Sequence, residues 1–417
     1  MIVISLILLV LAILGAPLFA IIGTSAMVGF YQTDTGLITI ALELLSIADM
    51  PILTAIPLFT FAGYLLSESN APQRLVRLTN AMFGWMPAGL ALVCIAVCAL
   101  FTAFTGASGV TIIALGAILY PALKQDGYGD RFNLGLVTSS GSLGLLFAPS
   151  LPLILYGVVA EVSIENLFRA GILPGLLMLI MLGGYSIWVN RDNRKPLTAF
   201  SWKEVGTALR EALWELPLPI VVLGGIYGGF IAVSEAAAIT ALYVFIAEVL
   251  INREIKIRDL PRITREAMVL VGGILMILGV SLASTYYMID AEIPQKLLAF
   301  VAELVSSPTS FLILLLLFLL VLGAILDIFS AIVLVVPLIL PIADGFGVNP
   351  VHLGIVFLAA MQLGYLTPPV GLNLFIASYR FEKPIMHVYS ATFPFLVILM
   401  LSVIFISFLP QLSLAFL

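Results

Sequence analysis

The chain of 417 residues is 62% hydrophobic and 10% charged, against about 25% charged residues in an average soluble domain. That composition excludes a water-soluble globular protein; the net charge of -5 says little about partners, because its distribution matters more than its sum, and no nucleic-acid partner is expected. Apolar stretches of roughly 15 to 25 residues recur throughout, enough at 1.5 Å per residue to enter or cross a hydrocarbon core about 30 Å thick. Barrel strands would alternate apolar and polar residues. No such alternation is present, so the expected fold is all-α and polytopic.

Residues 1–20 are apolar, but the first basic residue is Arg74. The positive n-region of a signal peptide is missing, and the segment is expected to be a retained membrane helix. Cys94 and Cys98 stand at i, i+4, a core-packing spacing rather than a CxxC pair. Thr105-Gly106-Ala107-Ser108-Gly109-Val110-Thr111 then sets two glycines and three hydroxyls in apolar surroundings. This reads as the tip of a re-entrant hairpin whose oxygens suit a hard cation such as Na⁺; a purely structural turn would look alike. The next helix is interrupted around Gly141, Gly144, Pro149, Ser150 and Pro152. Proline removes a donor and clashes with the preceding turn. Freed carbonyls can coordinate cations, and the N-terminus of the second half-helix can face an anion. A packing kink is the alternative.

Ten of the 18 basic residues fall in two polar stretches: Arg191, Arg194, Lys195, Lys203 and Arg210, then Arg253, Lys256, Arg258, Arg262 and Arg265. The positive-inside rule makes both cytoplasmic. Residues 190–215 read as an amphipathic surface helix with Trp202 and Trp214 at the interface. Two spans separate the stretches, with Glu235 at their turn expected to sit at the interface or to cap a helix with Ser234, a direct transport role being the less favoured alternative.

Residues 311–343 are apolar except for Asp327 and Ser330. One helix of that length would measure roughly 50 Å, too long for a single span, so a second re-entrant hairpin with its tip near Asp327 is expected. An aspartate at the bilayer centre costs about 2.5–3.5 kcal/mol on insertion scales. Asp327 is therefore the strongest single candidate, as a helix cap, a cation ligand or both. Gly364-Tyr365-Leu366-Thr367-Pro368-Pro369-Val370-Gly371 breaks the following helix as the first was broken. His352 and His387 are isolated, with surface or capping roles expected. No GxxxxGK[ST] loop occurs, so energy must come from a gradient or a partner. No metal motif or nucleophile–base pair suggests an enzyme.

The two halves align on their breaker residues. Pro121 matches Pro341, Gly144 matches Gly364, Pro149 matches Pro369 and Pro174 matches Pro394, each 220 apart (341 minus 121), and Pro72-Gln73-Arg74-Leu75 matches Pro294-Gln295-Lys296-Leu297 at 222 (294 minus 72). Five spans are expected between equivalent points, near 133–157, 170–189, 213–232, 234–251 and 266–289, and an odd number inverts the second copy. Inverted repeats around a midplane site are a recurrent transporter architecture.

These residues resemble the large membrane subunit of tripartite ATP-independent periplasmic (TRAP) transporters over nearly the whole chain. The matching segments include Ile56-Pro57-Leu58-Phe59, Gly106-Ala107-Ser108, Gly127-Tyr128, Ser163-Ile164 and Leu167 to Gly175. They continue with Gly224 to Gly229, Glu235-Ala236-Ala237, Asp327, Pro337, Pro341, Asn349-Pro350-Val351-His352 and Thr367 to Phe375. Ala107, Gly109, Ala148 and Val233 depart from the family pattern. The resemblance implies a sodium-driven elevator-type importer in the bacterial inner membrane, with hairpins and broken helices moving against a scaffold. It also implies a small four-helix membrane subunit, and a periplasmic substrate-binding protein delivering an organic acid such as a C4-dicarboxylate, sugar acid or sialic acid. A self-sufficient ion-coupled anion transporter or antiporter is the alternative.

The expected organisation is scaffold helices at 1–85, a first repeat core at 86–189, a cytoplasmic connector at 190–215, further scaffold at 216–310 and a second repeat core at 311–417. Sodium is expected at Gly106, Ser108, Gly141, Gly144 and Pro149, and again at Gly323, Asp327, Ser330, Gly364, Thr367 and Pro368. Candidate substrate residues are Ser108, Thr111, Ser150 and Asn373. No cofactor or other metal is expected.

Overall fold

The computed structural model describes residues 7, 8, 10, 11, 14–32, 36–86, 88–191, 200–305 and 307–417. Among these, all regular structure is helical. Two helical hairpins dominate: Gly89–Thr105 with Ser108–Gln125, and Pro308–Ile325 with Ile328–Gly345. Each is followed by a broken helix. The first comprises Asp130–Ser140, a 3-10 turn Leu143–Leu146 and Leu151–Val159, bent by 44°. The second comprises Pro350–Gly364 and Leu372–Arg380. Ser108 and Ile328 open equivalent arms 220 residues apart (328 minus 108), as Asp130 and Pro350 open equivalent half-helices (350 minus 130). Both breaks contain a cis X-Pro bond, Ala148-Pro149 and Pro368-Pro369. The breaker alignment read from the sequence is therefore an alignment of structural elements.

The packing follows the same symmetry. The first arm of each hairpin lies on the broken helix of its own repeat, and the second arm lies on the second half-helix of the other repeat. Glycine permits these close approaches. A Cβ at Gly144 would stand 2.2 Å from the Ala99 carbonyl, and one at Gly364 would stand 2.5 Å from Gly323 Cα. Each arm of the second hairpin has 18 residues, about 27 Å. Its turn is half-buried at Leu326 and Asp327, flanked by exposed Ile325 and buried Ile328. Around this core, Leu18–Gln32, Ile38–Ser46, Ala55–Glu68, Val233–Phe245 and Leu260–Asp290 pack as a separate group.

Amphipathic helices Ala71–Phe83 and Ile293–Leu304 lead into the two hairpins. In the first, Arg74 bonds Glu215, Glu248 at 3.2 Å, and Glu254. Burial opposes these charges, yet the Asn70 amide and Arg74 hold the Glu254 carboxyl below its usual range, and the carboxylates hold the guanidinium above its own. Arg77 bonds Glu204 and Glu211, and Arg262 bonds Glu68 and Glu266. These pairs gather the described parts of both basic stretches at one end of the molecule. At the opposite end the Tyr156 hydroxyl donates to the Pro350 carbonyl at 2.7 Å, and His352 lies 3.0 Å from the Ser413 hydroxyl.

Two local expectations change. The connector helix spans Trp202–Glu211 rather than 190–215: Asn190 closes the preceding membrane helix, and Ser201 caps the new one by accepting from the Glu204 amide. Residues 192–199, with Arg194 and Lys195, lie outside the described residues, as does part of 1–20. His352 is buried rather than on the surface, because both ring nitrogens face partners near the C-terminus, the Ser413 hydroxyl and the Ser407 carbonyl.

Orientation is checked by labelling with a membrane-impermeant maleimide, since native Cys94 and Cys98 are buried. Arg258→Cys reacts from the cytoplasm and Asp344→Cys from the periplasm; labelling of both from one side rejects the inverted topology. Arg74→Gln leaves two buried carboxylates without their cation and destabilises the chain by about 3–5 kcal/mol. Arg77→Gln, on exposed pairs, costs under about 1 kcal/mol. Thermal unfolding in detergent ranks the two, and equal shifts reject the buried cluster.

Candidate functional site

The first hairpin turns at Gly106, whose φ of +65° suits glycine, and whose Cβ would meet Leu151 at 2.6 Å. The tip thus sits on the start of the second half of its own broken helix. From the tip, the Ser108 hydroxyl donates to Asn373 Oδ1 at 2.8 Å, and Asn373 Nδ2 donates to the Thr138 carbonyl at 3.4 Å. Asn373 belongs to the other repeat, so this chain joins both broken helices through one tip. Thr102 and Thr111 hydroxyls lie 2.6 Å apart, and Thr102 also donates to the Gly141 carbonyl at 2.8 Å.

Around these bonds stands a group of polar atoms with no protein partner. The hydroxyls of Thr105, Ser139, Ser140, Ser142 and Ser150 are buried and unbonded. Buried polar groups are ordinarily paired, with protein or water. Ser150 occupies the cap position of Leu151–Val159, yet its side chain makes no cap bond. These hydroxyls belong to the first tip and the first broken helix, whose second half begins with free amides at Leu151. They can accept from a water, ligate a small cation or, through the amides, meet an anion.

The second tip is closed by its own chemistry. Asp327 accepts from the Phe329 and Ser330 amides, both at 3.0 Å, and from the Ser330 hydroxyl. The Ile328 amide donates to the Tyr365 hydroxyl at 2.7 Å, and the Gly371 amide to the Ala324 carbonyl at 3.1 Å. Asp327 is thus a working N-cap. Its oxygens retain lone pairs for another ligand. Thr367 donates to the Leu363 carbonyl at 3.1 Å, and Pro368 is exposed. Gly323 and Gly364 meet as a backbone crossing, and Gly144 is likewise in close contact with the first hairpin.

The structure brings Gly106, Ser108, Thr111, Gly141, Ser150 and Asn373 into the first site's neighbourhood, and Gly323, Asp327, Ser330 and Gly364 into the second. Ser139, Ser140, Thr102, Thr138 and Tyr365 were not singled out from the sequence. The run Thr138-Ser139-Ser140-Gly141-Ser142, four hydroxyls in a membrane helix, was the available signal. Glu235 has the capping role expected of it, accepting from the Ala232 amide at 2.9 Å. Among the described residues, no group of three His, Cys, Asp or Glu could hold a metal ion.

Paired hairpins and two broken helices in an inverted repeat define a multi-pass membrane transport protein. The chain belongs to the family described as the tripartite ATP-independent periplasmic transporter, DctM component, whose profile matches residues 2–412. It is 33% identical over 378 residues to a C4-dicarboxylate TRAP transporter large permease protein from Pseudomonas aeruginosa, covering 90% of this chain and 88% of that one. It is 31% identical over 408 residues to an ectoine TRAP transporter large permease protein from Halomonas elongata, covering 97% and 96%. An isethionate TRAP transporter permease protein from Oleidesulfovibrio alaskensis is 34% identical over 364 residues, covering 87% of this chain and 57% of that one. The fold is similar to the solved YdaH transporter of Alcanivorax borkumensis, with TM-score 0.63 and 14% identity, covering 88% and 86%. These relatives are permeases, not enzymes, and the chain is an inner-membrane protein of their family.

Gly364→Ala forces a methyl group into the Gly323 backbone and lowers stability by about 1–3 kcal/mol. Gly184→Ala has open space and is neutral or stabilising. Melting curves in detergent that fail to separate the two would reject the backbone crossing.

Proposed function

We propose that the chain is the large membrane subunit of a sodium-coupled importer of an organic acid, a carboxylate, acting with a small membrane subunit and a periplasmic binding protein. The observation that carries the sodium reading is the unpartnered hydroxyl group of Thr105, Ser139, Ser140, Ser142 and Ser150 at the first break. A monovalent hard cation suits neutral oxygens, whereas tight divalent sites use several carboxylates. The hairpin tips and breaks carry no Lys or Arg, so an anionic cargo there requires positive charge from half-helix N-termini and bound cations. Relatives named for C4-dicarboxylate, ectoine and isethionate show that cargo varies within the family. The isethionate relative is named DctMQ and is covered only to 57% of its length, which supports a second membrane component as partner.

A cargo-free test is the melting temperature of the purified chain in NaCl against KCl at equal ionic strength. Sodium raises it through binding to the folded state. Ser142→Ala/Ser150→Ala diminishes the difference, whereas Ser186→Ala, an unpartnered hydroxyl in helix Ile172–Val189, leaves it unchanged. Asp327→Asn separates charge from capping, because asparagine also caps well; it reduces the sodium effect while preserving most of the stability. Identical curves in the two salts would reject sodium binding. In proteoliposomes, uptake of a C4-dicarboxylate probe such as succinate requires both partners, and concentrative uptake by this chain alone would reject the tripartite reading.

A further inference from the structure

Pro337 lies inside the helix Ile328–Gly345. Having no N–H, it leaves the carbonyl four residues earlier, on Val333, without its helical donor. That carbonyl is 2.7 Å from the hydroxyl of Ser281, on the scaffold helix Leu260–Asp290. Ser281 is 3% and Val333 1% exposed, so no water reaches the pair. We propose that Ser281 is a positioning residue for transport: its hydroxyl latches the scaffold to the second hairpin at the carbonyl that Pro337 vacates, and it stabilises the docked arrangement seen here over any in which the hairpin has slid away. This inference rests on the reading that the hairpins move against the scaffold.

Among the described residues, the first repeat carries no equivalent bond. Its scaffold helix Ala55–Glu68 has Thr60 near the corresponding place, but that hydroxyl donates to Ile56 of its own helix at 2.6 Å. Contact with the first hairpin is made instead by Gly63, whose Cβ would stand 2.7 Å from Thr105 Cα. A close glycine contact can slide with little polar penalty. A hydroxyl on an otherwise donorless carbonyl in an apolar interior cannot be lost so cheaply. Release of the second hairpin leaves both groups unpaired until each finds another partner, which makes the bond selective for one position of the hairpin.

The test uses the full chain in lipid nanodiscs, with Cys94 and Cys98 replaced by alanine and spin labels at Ile289→Cys on the scaffold and Asp344→Cys on the hairpin. Electron–electron distance distributions are recorded in NaCl and in KCl. Ser281→Ala shifts the ratio of docked to released populations roughly five-fold toward release, the effect of one net hydrogen bond. Ser281→Thr, which retains the hydroxyl, keeps the wild-type ratio. Pro337→Ala restores an N–H to the helix, shifts the ratio in the same direction, and reduces the further effect of Ser281→Ala to within about two-fold of none. Two populations in wild type with an unchanged ratio in Ser281→Ala overturn the latch alone. Equal shifts in Ser281→Ala and Ser281→Thr also overturn it, since packing and not the hydroxyl would then be responsible. A single distance in wild type under both salts overturns the moving-hairpin reading and the latch with it.

Discussion

Inside a bilayer, a backbone carbonyl without a donor has no water to turn to, and each one left unpaired costs several kcal/mol. This chain places prolines in the middle of its membrane helices, so much of its tertiary structure consists of answers to that constraint. Pro394 frees the Ser390 carbonyl, which accepts from Arg131 at 2.8 Å across the repeat boundary. Pro337 frees Val333, which takes Ser281. At the second break the Pro369 carbonyl accepts from the Tyr389 hydroxyl at 2.6 Å. At the first tip, Asn373 and Ile376 of the other repeat lie against the irregular backbone, whereas the second tip is met by Tyr365 and Gly371 of its own repeat.

The two copies have resolved this constraint differently. The second tip consumes its polar groups internally: Asp327 caps its helix and Tyr365 receives the Ile328 amide. The first tip carries alanine at 107 and leaves five hydroxyls nearby without partners. A comparable asymmetry marks the helices that lead into the hairpins. Ala71–Phe83 is anchored by Arg74 among three glutamates, whereas Lys296 of Ile293–Leu304 donates to the Ala291 carbonyl at 2.7 Å. The helix leading into the first hairpin is therefore tied by charge to Glu215, Glu248 and Glu254, and the helix leading into the second has no such cluster among the described residues.

What was legible in the sequence was local. Proline and glycine act on the backbone where they stand, so Pro149, Pro369, Gly144 and Gly364 disclosed the repeat, the breaks and the hairpin positions without any knowledge of packing. Asp327 was legible for the same reason, being a lone acid before an apolar run. Partnerships between distant segments were not. Nothing in the spacing of Arg74, Glu215, Glu248 and Glu254 shows that they converge, and Ser281 is one of six hydroxyl-bearing residues in a 31-residue helix. His352 looked peripheral because its partners, Ser407 and Ser413, follow more than fifty residues later. The serines at 139 and 140 carried a signal, but burial without a partner is a property of three dimensions and cannot be read from composition.

A transporter must release what it binds, and the donor chemistry at the first break bears on that requirement. Several carboxylates around a cation would hold it firmly through direct charge attraction in a low-dielectric interior. Neutral hydroxyls and carbonyls supply only dipoles, so an ion held by them is bound more weakly and exchanges more readily. At the second tip the Asp327 carboxylate is already shared by three donors, which softens its attraction for any further cation. On the sodium-coupled reading, each bound ion adds positive charge beside the half-helix beginning at Leu151 or Leu372, where the backbone amides already favour an anion. Cargo and cation then stabilise one another by the same factor in both directions. Neither needs to bind tightly alone, because the coupling between two weak sites supplies the affinity that a fixed basic side chain would otherwise have to provide.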